Sequence, residues 1–167
     1  MKNIYLVGFM GSGKSTAGKL VAQRLGMEFV DIDSVIEERE GMEISRIFAE
    51  KGERYFRERE REIIREMGEK TGLVVSTGGG LGADRSNMEF MKKTGVVFWL
   101  DVPLEEILKR TEGDETRPLL KQPLEDLKKL YEERKKVYSL AHRRITAWEK
   151  TPEEIAGEIV DGYLHRD

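Results

Sequence analysis

Residues 8–15 read GFMGSGKS and directly follow the apolar run at residues 4–7. The stretch matches the pattern G-x-x-x-x-G-K-[ST], in which glycines allow consecutive backbone N–H groups to turn towards one anion. A helix that begins at the lysine directs its N-terminus at the same anion. A strand before the loop and a helix after it, ending at Gly26, therefore predict a phosphate-binding P-loop. The alternative is a glycine-rich turn with a solvated lysine.

The P-loop pattern predicts roles for individual residues. We expect Lys14 to reach the β- and γ-phosphates of a nucleotide and the Ser15 hydroxyl to ligate Mg²⁺. The expected nucleotide contacts within the loop are Gly11, Ser12, Gly13, Lys14, Ser15 and Thr16.

Strand-like and helix-like segments alternate along the rest of the chain. Short β-branched or aromatic segments predict strands at residues 3–7, 28–31, 73–76, 96–100 and 144–147. Helices are predicted at residues 14–25, 34–40, 44–50, 53–66, 84–92, 104–109, 124–140 and 152–163. This alternation predicts an α/β fold with a parallel sheet between helices, and ligands beyond the carboxyl ends of the strands.

The composition limits the classes of function. The 167 residues suit one domain, and 29 basic against 32 acidic residues give a net charge of −3, which does not favour nucleic-acid or membrane binding. The chain has no cysteine, which excludes disulfides and thiol chemistry, and its two histidines are too few for a histidine metal centre. No apolar stretch approaches a membrane span, so we expect a cytoplasmic protein.

A polar segment interrupts the pattern of elements at residues 111–123, which read TEGDETRPLLKQP. It has little periodicity and lies between two predicted helices. We expect a lid loop over the site that brings Arg117 onto the phosphates. The alternative is an ordinary surface connection.

Two carboxylates end the second predicted strand, in the sequence VDID. Asp31 and Asp33 are two residues apart, so their side chains share a face of an extended segment. Phosphoryl transfer requires one carboxylate near Mg²⁺ and another that orients the acceptor hydroxyl. Asp33 could instead cap the following helix, and the two roles do not exclude each other.

Three glycines at residues 78–80 end the third predicted strand, in the sequence STGGG. Consecutive glycines cost conformational entropy, so we expect a ligand to pass close to this backbone. The alternative is a plain turn.

Asp101 ends the apolar sequence VVFWLD and has the position of a Walker B carboxylate. No acidic residue follows to activate water, because Val102 and Pro103 come next, and the guanine-reading sequence N-K-x-D is absent. These two absences argue against an ATPase or a GTPase.

The ordered set of motifs resembles the shikimate kinase family over nearly the whole chain. Besides the P-loop, the matching motifs are DID at 31–33, GExxFR at 52–57, GGG at 78–80, RPLL at 117–120 and RxxxY at 134–138. The resemblance implies a single three-layer α/β/α P-loop kinase domain over residues 1–167. Its five-stranded parallel sheet would have the order 2-3-1-4-5, its lid would lie at about 111–123 and its substrate-binding helices at about 33–66. It also implies transfer of the γ-phosphoryl group of ATP to the 3-hydroxyl of shikimate, in aromatic amino acid biosynthesis.

The same resemblance implies the site residues. The catalytic residues would be Lys14, Asp33 and Arg117. ATP would contact the loop residues above together with Arg110 and Arg117. Shikimate would bind Asp33, Arg57, Gly78, Gly79, Gly80 and Arg134, with both arginines on its carboxylate. One Mg²⁺ per site would be held by Ser15 and by Asp31, the latter through water.

Three further residues would support this site: Glu60 would orient Arg57, and Phe48 and Phe56 would line the pocket. Lys136 stands where the family often has proline, a departure that concerns the local backbone. A monomer with ATP and shikimate as its ligands is expected. The alternatives are a P-loop kinase for another small acceptor, such as gluconate, and a nucleotide-binding module without an acceptor.

Overall fold

The computed structural model describes residues 1–112 and 122–166. In this part of the chain the strands are β1 (Asn3–Val7), β2 (Glu28–Asp31), β3 (Leu73–Ser76), β4 (Gly95–Asp101) and β5 (Arg143–Thr146). The helices are α1 (Lys14–Leu25), α2 (Ile32–Glu40), α3 (Ile44–Lys51), α4 (Glu53–Gly68), α5 (Gly79–Gly82), α6 (Arg85–Thr94), α7 (Leu104–Arg110), α8 (Leu124–Tyr138) and α9 (Pro152–Leu164). Most of the expected lid, including Arg117, lies outside the described residues.

The five strands form one parallel sheet in the order β2-β3-β1-β4-β5, which confirms the predicted order. The register of the sheet aligns the carboxyl ends of β1, β2 and β3. Leu6 pairs with Ser76, and Ser76 pairs with Asp31. The P-loop, the DID sequence and the glycine run therefore leave the sheet at the same edge.

Helices cover both faces of the sheet and bury its apolar strands. On one face α1 and α9 pack together, and on the other α6 contacts both α4 and α8. The central strand β1 is buried along its whole length, with Tyr5 and Leu6 fully inaccessible. Burial of a large apolar side chain contributes about 1.5–3 kcal/mol, so β1 is a stable base for the loop that follows it.

The start of α2 differs from the prediction. The helix begins at Ile32 rather than at residue 34, because the Asp31 carboxylate caps it by accepting a hydrogen bond from the Ser34 N–H at 3.3 Å. The interpretation of Asp33 as the cap is therefore wrong. Asp33 lies in the first turn of the helix and lines the cavities described below.

Several other elements differ from the predictions by one or two residues, and an additional short helix is present. The short helix α5 was not predicted, because glycines disfavour helices, yet the Gly82 N–H donates to the Gly78 carbonyl at 3.2 Å. Helix α8 ends at Tyr138 rather than at residue 140. The chain turns after the helix, and the Leu140 N–H donates a hydrogen bond to the Val137 carbonyl. Strand β5 is shifted one residue towards the N-terminus, because it pairs with β4 from Arg143 onward.

Candidate active site

The P-loop connects β1 to α1 through three glycines with positive φ. These are Gly8 at 153°, Gly11 at 77° and Gly13 at 91°. A Cβ on Gly8 would lie 2.7 Å from the Leu100 carbonyl oxygen, so a side chain there would strain the loop. Gly13 precedes α1 and supplies no side-chain cap, which leaves the N-terminal N–H groups of α1 available to an anion.

Lys14 is the first residue of α1, and its side chain is buried along the loop. Its Nζ donates to the carbonyl oxygens of Gly8 and of Phe9, the latter at 3.2 Å. Both contacts hold the amine beside the cavity formed by the loop. The lysine therefore has a fixed cationic position next to the helix N-terminus.

A set of oxygen atoms adjoins the start of α1. Ser15 Oγ donates to Asp31 Oδ2 at 2.8 Å and lies 3.2 Å from Ser76 Oγ. A hydroxyl and a carboxylate are oxygen ligands of the kind that Mg²⁺ prefers, so the donor set fits the expected ion. Residues 1–112 and 122–166 contain no group of three or more His, Cys, Asp or Glu side chains able to hold a metal.

The P-loop lines a cavity of about 340 Å³. Predicted residues on its wall are Gly11, Ser12, Gly13, Lys14, Ser15, Thr16 and Arg110. Arg110 reaches this wall from α7, with Nη1 3.5 Å from the Gly11 carbonyl and Nη2 3.4 Å from the Ala147 carbonyl. The residues predicted to bind a nucleotide therefore surround one space, apart from Arg117, which lies outside the described residues.

A second cavity, of about 470 Å³, lies beside the first and between α2, α3, α4 and α8. Predicted residues on its wall are Asp33, Phe48, Phe56, Arg57, Gly78, Gly79, Gly80 and Arg134. The volume is in the range typical of small-molecule sites. Met10, Asp31, Asp33, Gly78 and Gly79 line both cavities. The two spaces therefore meet at a shared wall that includes both carboxylates of the DID sequence.

Two arginines form the cationic side of the second cavity. Arg57 Nη1 donates to Glu60 Oε1 at 2.7 Å, and Nη2 lies 3.2 Å from Glu53 Oε2. Arg134 is 7% exposed, its guanidinium lies 5.6 Å from the centre of the Phe9 ring, and burial lowers its pKa. Within the described residues Arg134 Nη1 has no hydrogen-bond partner. A buried guanidinium N–H of this kind favours an anionic ligand.

Glu60 lies behind Arg57, and the contact predicted between them is present. The carboxyl group is 1% exposed, and its burial raises its pKa to about 7 against the opposing charge of Arg57. The negative charge of Asp33 raises the pKa further. The Arg57 guanidinium is therefore held in place by the buried carboxyl group of Glu60.

Each glycine of the run at 78–80 approaches a different charged side chain. A Cβ on Gly78 would lie 2.9 Å from Asp33 Oδ1, and one on Gly79 would lie 2.9 Å from Arg134 Nη1. A Cβ on Gly80 would overlap the Arg57 guanidinium. The glycines thus leave room for the site's own charged side chains in their present positions, whereas close approach of a ligand stays a prediction.

Two residues outside the predicted set complete this description. Ser76 joins the oxygen cluster, for which its position at the end of β3, two residues before the glycine run, was the available signal. Asp101 lies 2.6 Å from Arg144 Nη2 and is not among the residues lining the loop cavity. This pairing agrees with the interpretation that Asp101 is not a Walker B carboxylate.

Comparison with known proteins gives consistent matches over almost the full chain. Residues 10–163 match the family model described as shikimate kinase. The chain is 62% identical to a shikimate kinase of a Sulfurihydrogenibium species over 160 residues, covering 96% of each chain. It is 56% identical to a shikimate kinase of Persephonella marina, covering 96% of this chain and 98% of the relative.

The solved structures agree with these sequence matches. A shikimate kinase from Acinetobacter baumannii, in complex with shikimate, superposes with a TM-score of 0.94 at 38% identity. The match covers all of this chain and 95% of the other.

Proposed function

This chain belongs to the shikimate kinase family and transfers the γ-phosphoryl group of ATP to the 3-hydroxyl of shikimate, and we propose that its two adjoining cavities hold these two substrates. The loop cavity takes ATP and the second cavity takes shikimate. The observation that supports this assignment best is the wall that the cavities share at Asp31, Asp33, Gly78 and Gly79. A phosphoryl group can cross there without passing through bulk water.

In the acceptor cavity, we assign the carboxylate of shikimate to the two arginines. Arg57 and Arg134 line the same space, and a planar guanidinium matches a planar carboxylate through paired hydrogen bonds. Asp33 is assigned to the ring hydroxyls, because it lines both cavities beside Gly78. This division orients an acid with one anionic end and one hydroxylated end.

In the nucleotide cavity, we assign the phosphates to the loop backbone, to the N-terminus of α1 and to Lys14. Arg110 is assigned to the adenine side, since it lies beside Gly11 and Ala147. Ser15 and Asp31 would hold one Mg²⁺, which when bound neutralises charge on the phosphates. Arg117 remains a predicted catalytic residue that lies outside the described residues.

The transfer forms a bond between the 3-hydroxyl oxygen and the γ-phosphorus and breaks the bond between that phosphorus and the β–γ bridging oxygen. ADP leaves with the bridging oxygen, and the hydroxyl loses its proton. Asp33 orients this hydroxyl and is the acceptor that we assign to the proton. Lys14 stabilises the negative charge on the transferring phosphoryl group.

We further propose that the enzyme acts as a monomer in the cytoplasm. None of the helices in the described part of the chain has the length and apolar character that crossing a bilayer requires. Light scattering after gel filtration would measure the mass in solution, and a dimer mass would contradict the monomer.

The decisive experiment measures ADP release in a coupled assay with ATP and Mg²⁺, with and without shikimate. The proposal expects release that depends on shikimate, is lost in Lys14→Ala and is strongly reduced in Asp33→Asn. Lys19→Ala is the matched control, since it removes an exposed lysine from the same helix.

The same assay separates the alternatives. Release with gluconate or a nucleoside monophosphate, and none with shikimate, would mean that the second cavity takes another acceptor. Nucleotide binding without release for any acceptor would indicate a binding module. Omission of Mg²⁺ tests the metal assignment, and full activity in EDTA would contradict it.

A further inference from the structure

Tyr138 connects the end of α8 to the glycine run. Its Oη donates to the Gly79 carbonyl at 2.6 Å, and its side chain is completely buried. Burial raises the pKa of the Tyr138 hydroxyl above its ordinary value, which favours the protonated form that donates this hydrogen bond. The ring packs at 6.2 Å from the ring of Trp99, which fixes the direction of the hydroxyl.

Gly79 is the point at which three parts of the site converge. The position of a Cβ on Gly79 lies 2.9 Å from Arg134 Nη1, 3.4 Å from the Met10 amide nitrogen and 3.5 Å from Tyr138 Oη. Met10 belongs to the P-loop, while Arg134 and Tyr138 both belong to α8. A small displacement of Gly79 would therefore change both the acceptor cavity and its wall with the nucleotide cavity.

The glycine run has few other means of holding its position. It has no side chains to pack, and α5 is a single short turn. Thr77 anchors the run on its N-terminal side, with Oγ1 donating to the Leu6 carbonyl at 2.8 Å. Asn87 anchors it on its C-terminal side, with Nδ2 donating to the Leu81 carbonyl at 3.2 Å. Between these anchors, the Tyr138 hydroxyl binds the backbone of the run at the Gly79 carbonyl.

We propose that Tyr138 is a positioning residue for the acceptor site, which sets the distance between the Gly79 backbone and Arg134. Arg134 and Tyr138 are four residues apart on α8, so they lie on one face of the helix. One residue of the helix then contacts the substrate carboxylate while the other fixes the backbone opposite. This inference rests on the proposed function of the acceptor cavity.

Two general magnitudes indicate how much activity the loss of the Tyr138 hydroxyl should cost. Misplacement by about 1 Å of groups that orient a substrate can cost on the order of 100-fold in rate. Loss of one neutral hydrogen bond changes an equilibrium by roughly 2- to 10-fold. We therefore expect Tyr138→Phe, which keeps the ring and removes the hydroxyl, to lower kcat/KM for shikimate by roughly 10- to 100-fold. The KM for ATP should stay within about twofold.

The chain offers two matched controls. Tyr131 lies on the same helix and donates from its hydroxyl to the Val102 carbonyl at 2.7 Å, and Tyr163 on α9 donates to the Lys2 carbonyl at 2.7 Å. All three tyrosines are buried. Tyr131→Phe and Tyr163→Phe should lower the melting temperature to a similar degree and leave the KM for shikimate unchanged. An equal loss of kcat/KM in all three variants would overturn the inference.

Hydrogen exchange supplies a readout that does not depend on activity. The backbone amides of residues 78–82 should exchange faster in Tyr138→Phe and at the wild-type rate in Tyr131→Phe. Unchanged exchange at 78–82 would overturn the inference, and so would failure of Tyr138→Phe to fold, since the hydroxyl would then serve global stability. If the proposed function itself is wrong, the result is different: the wild-type protein would release no ADP in response to shikimate.

Discussion

Arg57 and Glu60 form a salt bridge of 2.7 Å one turn apart on α4, with the carboxylate almost completely buried. The next pair along the helix, Arg59 and Glu62, has the same spacing and the same 2.7 Å distance, but Glu62 is 59% exposed. The two pairs therefore differ in burial and not in local geometry. Since surface pairs contribute little and buried ones depend on the cost of desolvation, only the first pair should influence stability strongly.

The free energy of unfolding should depend on pH through Glu60. Its pKa is raised by burial from an ordinary value of 4.5 to about 7, so between these values the folded protein holds a proton that the unfolded chain has lost. The resulting stabilisation is complete below about pH 4.5 and is lost as the pH rises to about 7, by up to roughly 1.4 kcal/mol per pH unit. The amide introduced by Glu60→Gln does not ionise. The free energy of unfolding of the wild type minus that of the variant should therefore decrease as the pH rises from 5 to 7.

Denaturant titrations at several pH values would measure this difference. Glu62→Gln is the control, and its difference from the wild type should not change with pH over the same range. A constant difference for Glu60→Gln as well would show that the carboxyl group is already ionised at pH 5 in the folded protein.

Lys14→Ala should abolish detectable turnover and leave shikimate binding measurable. We assign the lysine to the transferring phosphate, and it does not line the acceptor cavity. Calorimetric titration of shikimate into the variant is the measurement. Complete loss of shikimate binding, with Lys19→Ala unaffected, would contradict the assigned role.

Arg134→Ala should lower kcat/KM for shikimate by roughly 30- to several-thousand-fold. Truncation leaves a partly desolvated carboxylate without its partner, at a cost on the order of 2–5 kcal/mol. Arg57 should limit the loss, because it lines the same cavity. Steady-state kinetics at saturating ATP would give the ratio.

A substrate with a neutral carboxamide in place of the carboxylate makes the test of Arg134 specific. The substitution should cost much less with the amide, because the charged interaction is already absent. Equal penalties on the acid and the amide would mean that Arg134 supports the helix or the phosphates instead.

Gly79→Ala should raise the KM for shikimate, because the new methyl group would lie 2.9 Å from Arg134 Nη1 and would displace the guanidinium. Gly157→Ala is the comparison in α9, where the nearest neighbour would be 3.4 Å away. That helical substitution should leave kinetics unchanged and be neutral or stabilising by up to about 1 kcal/mol. Unchanged shikimate kinetics in Gly79→Ala would show that Arg134 can move without loss.

The sequence by itself determined the features that depend on local spacing. The P-loop, the helix that follows it and the alternation of elements are recognisable from neighbouring residues, because backbone conformation and apolar periodicity act over a few positions. The order of the strands and the acceptor came from the ordered set of motifs and their resemblance to a family. Asp31 and the glycine run were predicted at the ends of two strands, and the parallel register brings these two ends to the same edge of the sheet.

Only the tertiary structure decided which residues of an ambiguous segment are buried and what they contact. In the run of charges on α4, Glu60 could not be distinguished from Glu62 by spacing, because burial depends on the packing of α4 against other elements. The contacts of Gly79 with Arg134 and Tyr138 join residues more than fifty positions apart, so no local pattern reports them. Distances between elements that are remote in sequence are set by packing of the whole core, and the fine geometry of this site depends on those distances.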